Sequence, residues 1–79
     1  MARIMQEINR LNVCGHRVKC IMDWGHFQAG SVYYVQSAVD VHKCGIVETV
    51  CDVFFGPEPY GGGRCVLLSD LKDFFRLEE

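Results

Sequence analysis

Hydrophobic and polar residues alternate with period two in several short stretches of the chain, the longest between Ile46 and Phe55. Its odd positions, Val47, Thr49, Cys51, Val53 and Phe55, all suit a buried, pleated face. Its even positions mix Ile46, Val50 and Phe54 with Glu48 and Asp52, so the second face meets water in part. Side chains on a strand point alternately to opposite faces, and β-branched and aromatic types fill this run, so it predicts a strand. Gly56-Pro57-Glu58-Pro59-Tyr60-Gly61-Gly62-Gly63 stops it. Prolines remove ladder donors there, and glycines permit positive φ. Arg64-Cys65-Val66-Leu67-Leu68 then returns beside the first strand.

The same pattern continues on either side of this hairpin. Arg17–Met22 predicts a strand with Val18, Cys20 and Met22 facing one way. Asp23-Trp24-Gly25-His26 is a turn and Gln28-Ala29-Gly30 a second break. Ser31–Gln36 is a strand with apolar or aromatic residues on both faces, as in a central or covered strand. Ser37–Lys43 fits either an exposed strand or one helical turn. Ile4, Ile8 and Leu11 follow helical spacing, which predicts an N-terminal helix over Ala2–Asn12; an extended arm along a sheet edge is the rival. Ser69-Asp70 offers an N-cap for the helical turn Leu71–Phe74, Phe75-Arg76-Leu77 is a short closing strand, and Glu78-Glu79 is a frayed end. The expected fold is mainly β (α+β): one domain over residues 1–79, a curved antiparallel sheet of about five strands with an N-terminal helix and a late helical turn.

Size and charge narrow the function. A chain of 79 residues has a thin stability margin, and its 49% apolar content exceeds the need of one small core, which points to a homodimer. The net charge of -2 is uneven: residues 1–43 hold five Lys/Arg against three Asp/Glu, and residues 44–79 hold three against seven. Neither half carries a basic patch, which argues against general nucleic-acid binding. No apolar run has signal-peptide or membrane-spanning length, so a cytoplasmic protein with reduced cysteines is expected.

Four groups of residues invite chemistry. Cys14, His16 and Cys20 have the types of a zinc site that Cys44 or Cys51 would complete, but lack the paired short spacing of strong zinc motifs. His16, His26 and His42 have no recognisable catalytic cysteine beside them, so no enzyme and no cofactor are expected. Glu48 and Asp52 solubilise one strand face. Tyr60, Gly61, Gly62, Gly63 and Arg64 have the materials of an anion-binding loop without the Lys-Ser/Thr of a P-loop, and a long hairpin loop is the plainer reading. Trp24, His26, Phe27, Tyr33 and Tyr34 cluster around the first hairpin, where aromatics serve as core or as interface anchors. Adjacent Tyr33 and Tyr34 point to opposite faces, so one is exposed or covered by a partner.

Arg17-Val18-Lys19-Cys20-Ile21, followed by Ala29-Gly30-Ser31-Val32-Tyr33-Tyr34-Val35 and by the ending Val66-Leu67-Leu68 to Phe75-Arg76-Leu77, resembles very small phage and prophage proteins. That resemblance implies an SH3-like barrel of five short strands and a phage-encoded inhibitor of a host protein or defence system, with no catalytic residues to carry over. The leading expectation is thus a non-enzymatic, homodimeric binding protein that uses Trp24, His26, Tyr33, Tyr34 and the Tyr60–Arg64 loop against a host protein target. A nucleotide-sequestering protein binding through Tyr60, Arg64 and the Gly61–Gly63 amides at a subunit interface is the alternative, and a zinc-stapled adaptor a further one.

Overall fold

The computed structural model describes residues 7–78. Five strands and one helix follow in the order β1 (His16–Cys20), β2 (Val32–Lys43), β3 (Ile46–Phe54), β4 (Gly63–Leu67), α1 (Leu68–Phe74) and β5 (Phe75–Leu77). All strand pairs are antiparallel, in the order β4-β3-β2-β1-β5. The expected antiparallel sheet with a helical turn before a closing strand is therefore present.

The SH3-like barrel is not. β4 and β5 are the two edges of the sheet and do not pair with one another. Laid flat, these edges would stand about 19 Å apart, four strand spacings of roughly 4.8 Å. Yet α1, whose seven residues are about 10 Å long, leads from one edge to the other. The sheet must curl, and α1 lies across its open side against β3, β4 and β5. Leu71 of α1 enters the core with Val18, Val35, Val53, Val66, Phe27 and Phe75, all at most 2% exposed. The backbone continues from Leu67 into Leu68 without a side-chain cap. Ser69 and Asp70 consequently lie inside the first turn of α1, not before it.

Two long strands carry the most informative departures. β2 runs through Ser37–Lys43, so the exposed-strand reading of that segment holds and the helical turn does not. Cys44 and Gly45, at φ 51° and 78°, join β2 to β3 in a two-residue turn. Positive φ at both central residues matches the twist of the flanking strands. β1 reaches β2 only as far as His16↔Val35, and β4 reaches β3 only as far as Val50↔Leu67. Beyond those points β2 and β3 form a two-stranded arm, and the molecule is elongated, at 45 × 28 × 21 Å. The expected buried face of β3 holds only at Cys51 and Val53; Val47 lies in the arm, 53% exposed, and Phe55 lies past the strand end, 43% exposed.

A bulge sets which face of β2 is which. Val35 pairs with Val53 and Ser37 with Asp52, leaving Gln36 extra. Odd positions Tyr33 and Val35 point into the core, whereas past the bulge Ala38 faces inward opposite Cys51 and Val39 turns outward.

The N-terminal helix is absent from residues 7–12; Ala2–Gln6 lie outside the described residues. Ile8 is buried but Leu11 is 93% exposed, which breaks the helical stripe. Asn9 and Asn12 make a turn instead: the amides of Leu11 and Asn12 donate to the Asn9 side chain, at 2.8 and 3.1 Å, and the Asn9 amide donates to that of Asn12 at 2.9 Å. Asn side chains compete for local backbone groups in this way and favour turns over helices. The Arg10 guanidinium then meets Asp40 at 2.8 Å, and the Thr49 hydroxyl donates to the same carboxylate. At the other terminus, the Glu78 amide donates to the Arg17 carbonyl, so Glu78 is held; Glu79 lies outside the described residues. Met22, expected on the buried face of the first strand, is 55% exposed because the strand ends at Cys20.

Candidate functional site

The curl brings the β1–β2 connection and the β3–β4 loop together at one end of the molecule. Trp24 and Phe27 bond backbone to backbone in both directions, each at 3.0 Å, which makes a tight turn of Trp24-Gly25-His26-Phe27. Gly25, at φ 59°, supplies the positive φ that this turn requires. The turn carries Trp24 onto Phe74, with ring centroids 5.0 Å apart and planes within 6°, and His26 against Phe55 at 5.6 Å. From the other side, the Arg64 guanidinium lies 5.7 Å from the Trp24 ring centroid, a cation–π contact. Trp24 and His26 of the first hairpin are thus brought together with Arg64 of the glycine loop, with Phe55 and Phe74 as members that the alternation alone had placed elsewhere or left out.

The predicted aromatic group does not stay whole. Tyr33 is 5% exposed and packs edge-on against Phe27, and its hydroxyl accepts the Gln28 amide at 2.8 Å. It is a core residue. Tyr34 points through the opposite face of the sheet toward Phe54, half-buried. Trp24 is itself half-buried beneath Phe74 and Arg64, so it shapes the surface more than it presents one.

The β3–β4 loop is held at three points. The Phe55 amide donates to the Gly62 carbonyl at 2.8 Å, and the Tyr34 amide to the Gly56 carbonyl at 2.9 Å. Arg17 of β1 donates to the Pro57 carbonyl at 3.0 Å and to Glu58 at 3.1 Å. This latch spans forty positions of sequence and had no local signal. Gly63 is the residue the loop depends on, since a Cβ there would collide with the Val53 carbonyl oxygen and lie 3.0 Å from the Phe54 Cα. At the loop's exposed rim stand Tyr60, 73% exposed, and Phe55.

The glycine run is less of an anion cradle than its composition promised. Gly63 is the first residue of β4, paired with Phe54. A shallow open groove of about 260 Å³ beside it is lined by Gln36, Asp52, Val53, Phe54, Gly63, Arg64 and Cys65. Tyr60, Gly61 and Gly62 take no part in that lining, and Asp52 presents a carboxylate to it. Asp52 accepts from the Ser37 hydroxyl at 3.1 Å and from the Cys65 thiol at 3.2 Å. That hydrogen bond, together with the Asp52 charge, pushes the Cys65 thiol above its ordinary pKa.

The zinc candidates are kept apart. The Cys14 thiol is exposed and donates to the Gln36 carbonyl, His16 Nδ1 lies 3.0 Å from the Cys14 carbonyl, and Cys20 is buried with its thiol on the Met22 carbonyl. Burial pushes the Cys20 thiol up, the reverse of what a metal-binding thiolate needs. Among the described residues, no three His, Cys, Asp or Glu side chains converge as a metal site. Cys44 sits at the arm tip and Cys51 in the core. Also among them, no helix is long and apolar enough to cross a membrane.

Comparison with known protein families, with characterised proteins and with solved structures returns no match. The resemblance to small phage and prophage proteins is overturned on the same residues that suggested it: their alternation builds an open sheet that is not closed into a barrel.

Proposed function

We propose that the chain is a non-enzymatic binding protein whose contact surface is the loop end, centred on Tyr60, Phe55, His26 and Arg64. One observation carries this reading. Two large aromatic side chains, Tyr60 and Phe55, are 73% and 43% exposed on a loop whose backbone is tied to β1, β2 and itself. Apolar residues left in water on a well-held backbone are poor for solubility and good for recognition, because little conformational freedom is lost on binding. Arg64, steadied on Trp24, adds a positive group with no carboxylate within ion-pair distance among the described residues.

The partner this surface suits is a protein with an apolar pocket bordered by acidic groups. A host defence target was implied only by the phage resemblance and has no support of its own in the loop end. The nucleotide reading keeps one supporting feature, the Arg64 wall of the groove, against the Asp52 carboxylate opposite it.

The test is affinity capture of a partner by the full chain, followed by titration of that partner against variants. Tyr60→Ala weakens binding by about tenfold or more with unchanged melting temperature, and Phe55→Ala weakens it as much with a modest drop, since Phe55 also packs on Phe27 and His26. Retention of full affinity by both variants sinks the reading. A melting temperature that rises with added nucleotide and loses that rise in Arg64→Ala replaces it with the ligand reading.

A further inference from the structure

The outer face of the β2–β3 arm runs away from the loop end, with only its root row at Asp52 and Cys65 adjoining the groove beside Gly63. Directly paired residues of antiparallel strands share a face. The register places Val39 beside Val50 and Val50 beside Leu67, then Val41 beside Glu48, then Lys43 beside Ile46. The row before these is Ser37, Asp52 and Cys65. The face is therefore an apolar field of five side chains, with Asp52 at its root and Lys43 at its tip. Val39, Val41 and Ile46 are 57%, 42% and 62% exposed, and Val50 and Leu67 are half-buried. A two-stranded ribbon is marginal by itself in water, so cover on this face would stabilise the arm.

We propose that this face is the contact between two copies of the chain, packed face to face with their arms antiparallel. The charges select this occupant. A two-fold axis through the field, between the Val39 and Val41 rows, brings the Lys43 end of one copy over the root of the other. Lys43 then meets the partner's Asp52, and the same contact is made a second time by symmetry, as an isologous interface demands. Neither Lys43 nor Asp52 has an oppositely charged partner within ion-pair distance in its own chain, among the described residues. Stacking the other way, with arms parallel, would set Lys43 against Lys43 and Asp52 against Asp52. Glu48 shares the Val41 row, is exposed, and lines a groove with Leu67, Ser69 and Lys72 on the α1 side of the field. The two apolar fields would meet at the ordinary spacing of packed sheets, roughly 10 Å.

Sedimentation equilibrium of the full chain at low salt, from micromolar to millimolar concentration, tests this. The wild type self-associates to a dimer. Lys43→Asp and Asp52→Lys each weaken self-association by about tenfold or more, since each places like charges at both contacts. An equimolar mixture of the two restores it as a heterodimer, because every contact then joins opposite signs. Val41→Lys, which disturbs none of the Asp52 hydrogen bonds, keeps the monomer folded by circular dichroism and abolishes the dimer; it decides the matter if Asp52→Lys does not fold. A wild type that stays monomeric at millimolar concentration overturns the proposal. So does a dimer indifferent to Val41→Lys and Lys43→Asp, or a folded pair of charge variants that does not reassociate on mixing.

Discussion

The root and the tip of β2 are made of similar residues with opposite fates. Tyr33 and Val35, at the root, are 5% and 0% exposed; Val39 and Val41, four and six positions past Val35, are 57% and 42% exposed. Intrinsic strand preference is the same in both places, since β-branched residues suit a pleated surface at either. What differs is cover. Phe27, Phe75 and Leu71 close over the inward face at the root, whereas the bulge at Gln36 turns Val39 and Val41 onto the outer face, which no described residue covers. Burial in this molecule is decided by what crosses above a strand, and a strand's own pattern says only which residues share a side.

The largest expected contrast follows directly. Phe27→Ala, which empties the middle of the aromatic packing at the root, costs about 3–5 kcal/mol and leaves little of the folded state, while Val41→Thr in dilute protein stays within about 0.5 kcal/mol of wild type. Urea denaturation of both variants measures the difference. Comparable losses at the two positions would mean that the arm is part of the cooperative core after all.

Cys51 sits on the boundary between the two regions and reports where it lies. Burial, then the Asp52 charge and then Cys14, push its thiol up from 9.0 to about 11. The folded protein thus keeps this proton where the unfolded chain releases it. Stability from this group is complete below pH 9, falls as pH rises, and is gone by about pH 11, a loss of about 2–3 kcal/mol. Cys51→Val removes that part of the alkaline loss. Denaturation midpoints of the two proteins that fall in parallel between pH 9 and 11 would place Cys51 with the wet arm instead of the core.

The smallest effect is at the tip. Cys44 holds φ 51° in the two-residue turn, a conformation that asparagine adopts more readily than cysteine. Cys44→Asn raises stability by about 0.5 kcal/mol, read as a higher melting temperature. No gain in the melting temperature, with unchanged folding at the root, would show an arm that frays.

Much of this architecture was legible from local pattern. Period-two runs and their turn residues mark β1, β3, β4 and β5, because alternation and glycine or proline punctuation act over a few residues. The hairpin around Gly61–Gly63 was legible for the same reason. Val39 and Val41 are exposed as the strand reading of Ser37–Lys43 expected, but the alternation does not show why: they keep the odd parity of Tyr33 and Val35, and the extra residue Gln36 sends them to the other side of the sheet. The open edges, the curl and the meeting of Trp24 with Arg64 depend on contacts between distant segments, which no window of sequence contains. The aromatic cluster and the cysteine set failed as sites in the same way. Their composition was right, and topology distributed Tyr33, Tyr34, Cys14 and Cys20 among different surfaces and the interior.

Gln36 separates two properties of the arm that would otherwise be inherited together. Val35 pairs with Val53 and Ser37 with Asp52, so a chain lacking Gln36 would still place every later residue opposite its present neighbour. The pattern of both faces would survive such a deletion unchanged. What would be lost is the local bend and added twist of a bulged strand, along with the carbonyl to which Cys14 donates. Lineages of this sequence can therefore re-aim the arm by gaining or losing one codon, leaving the chemistry it displays untouched, and can rewrite that chemistry without altering where it points.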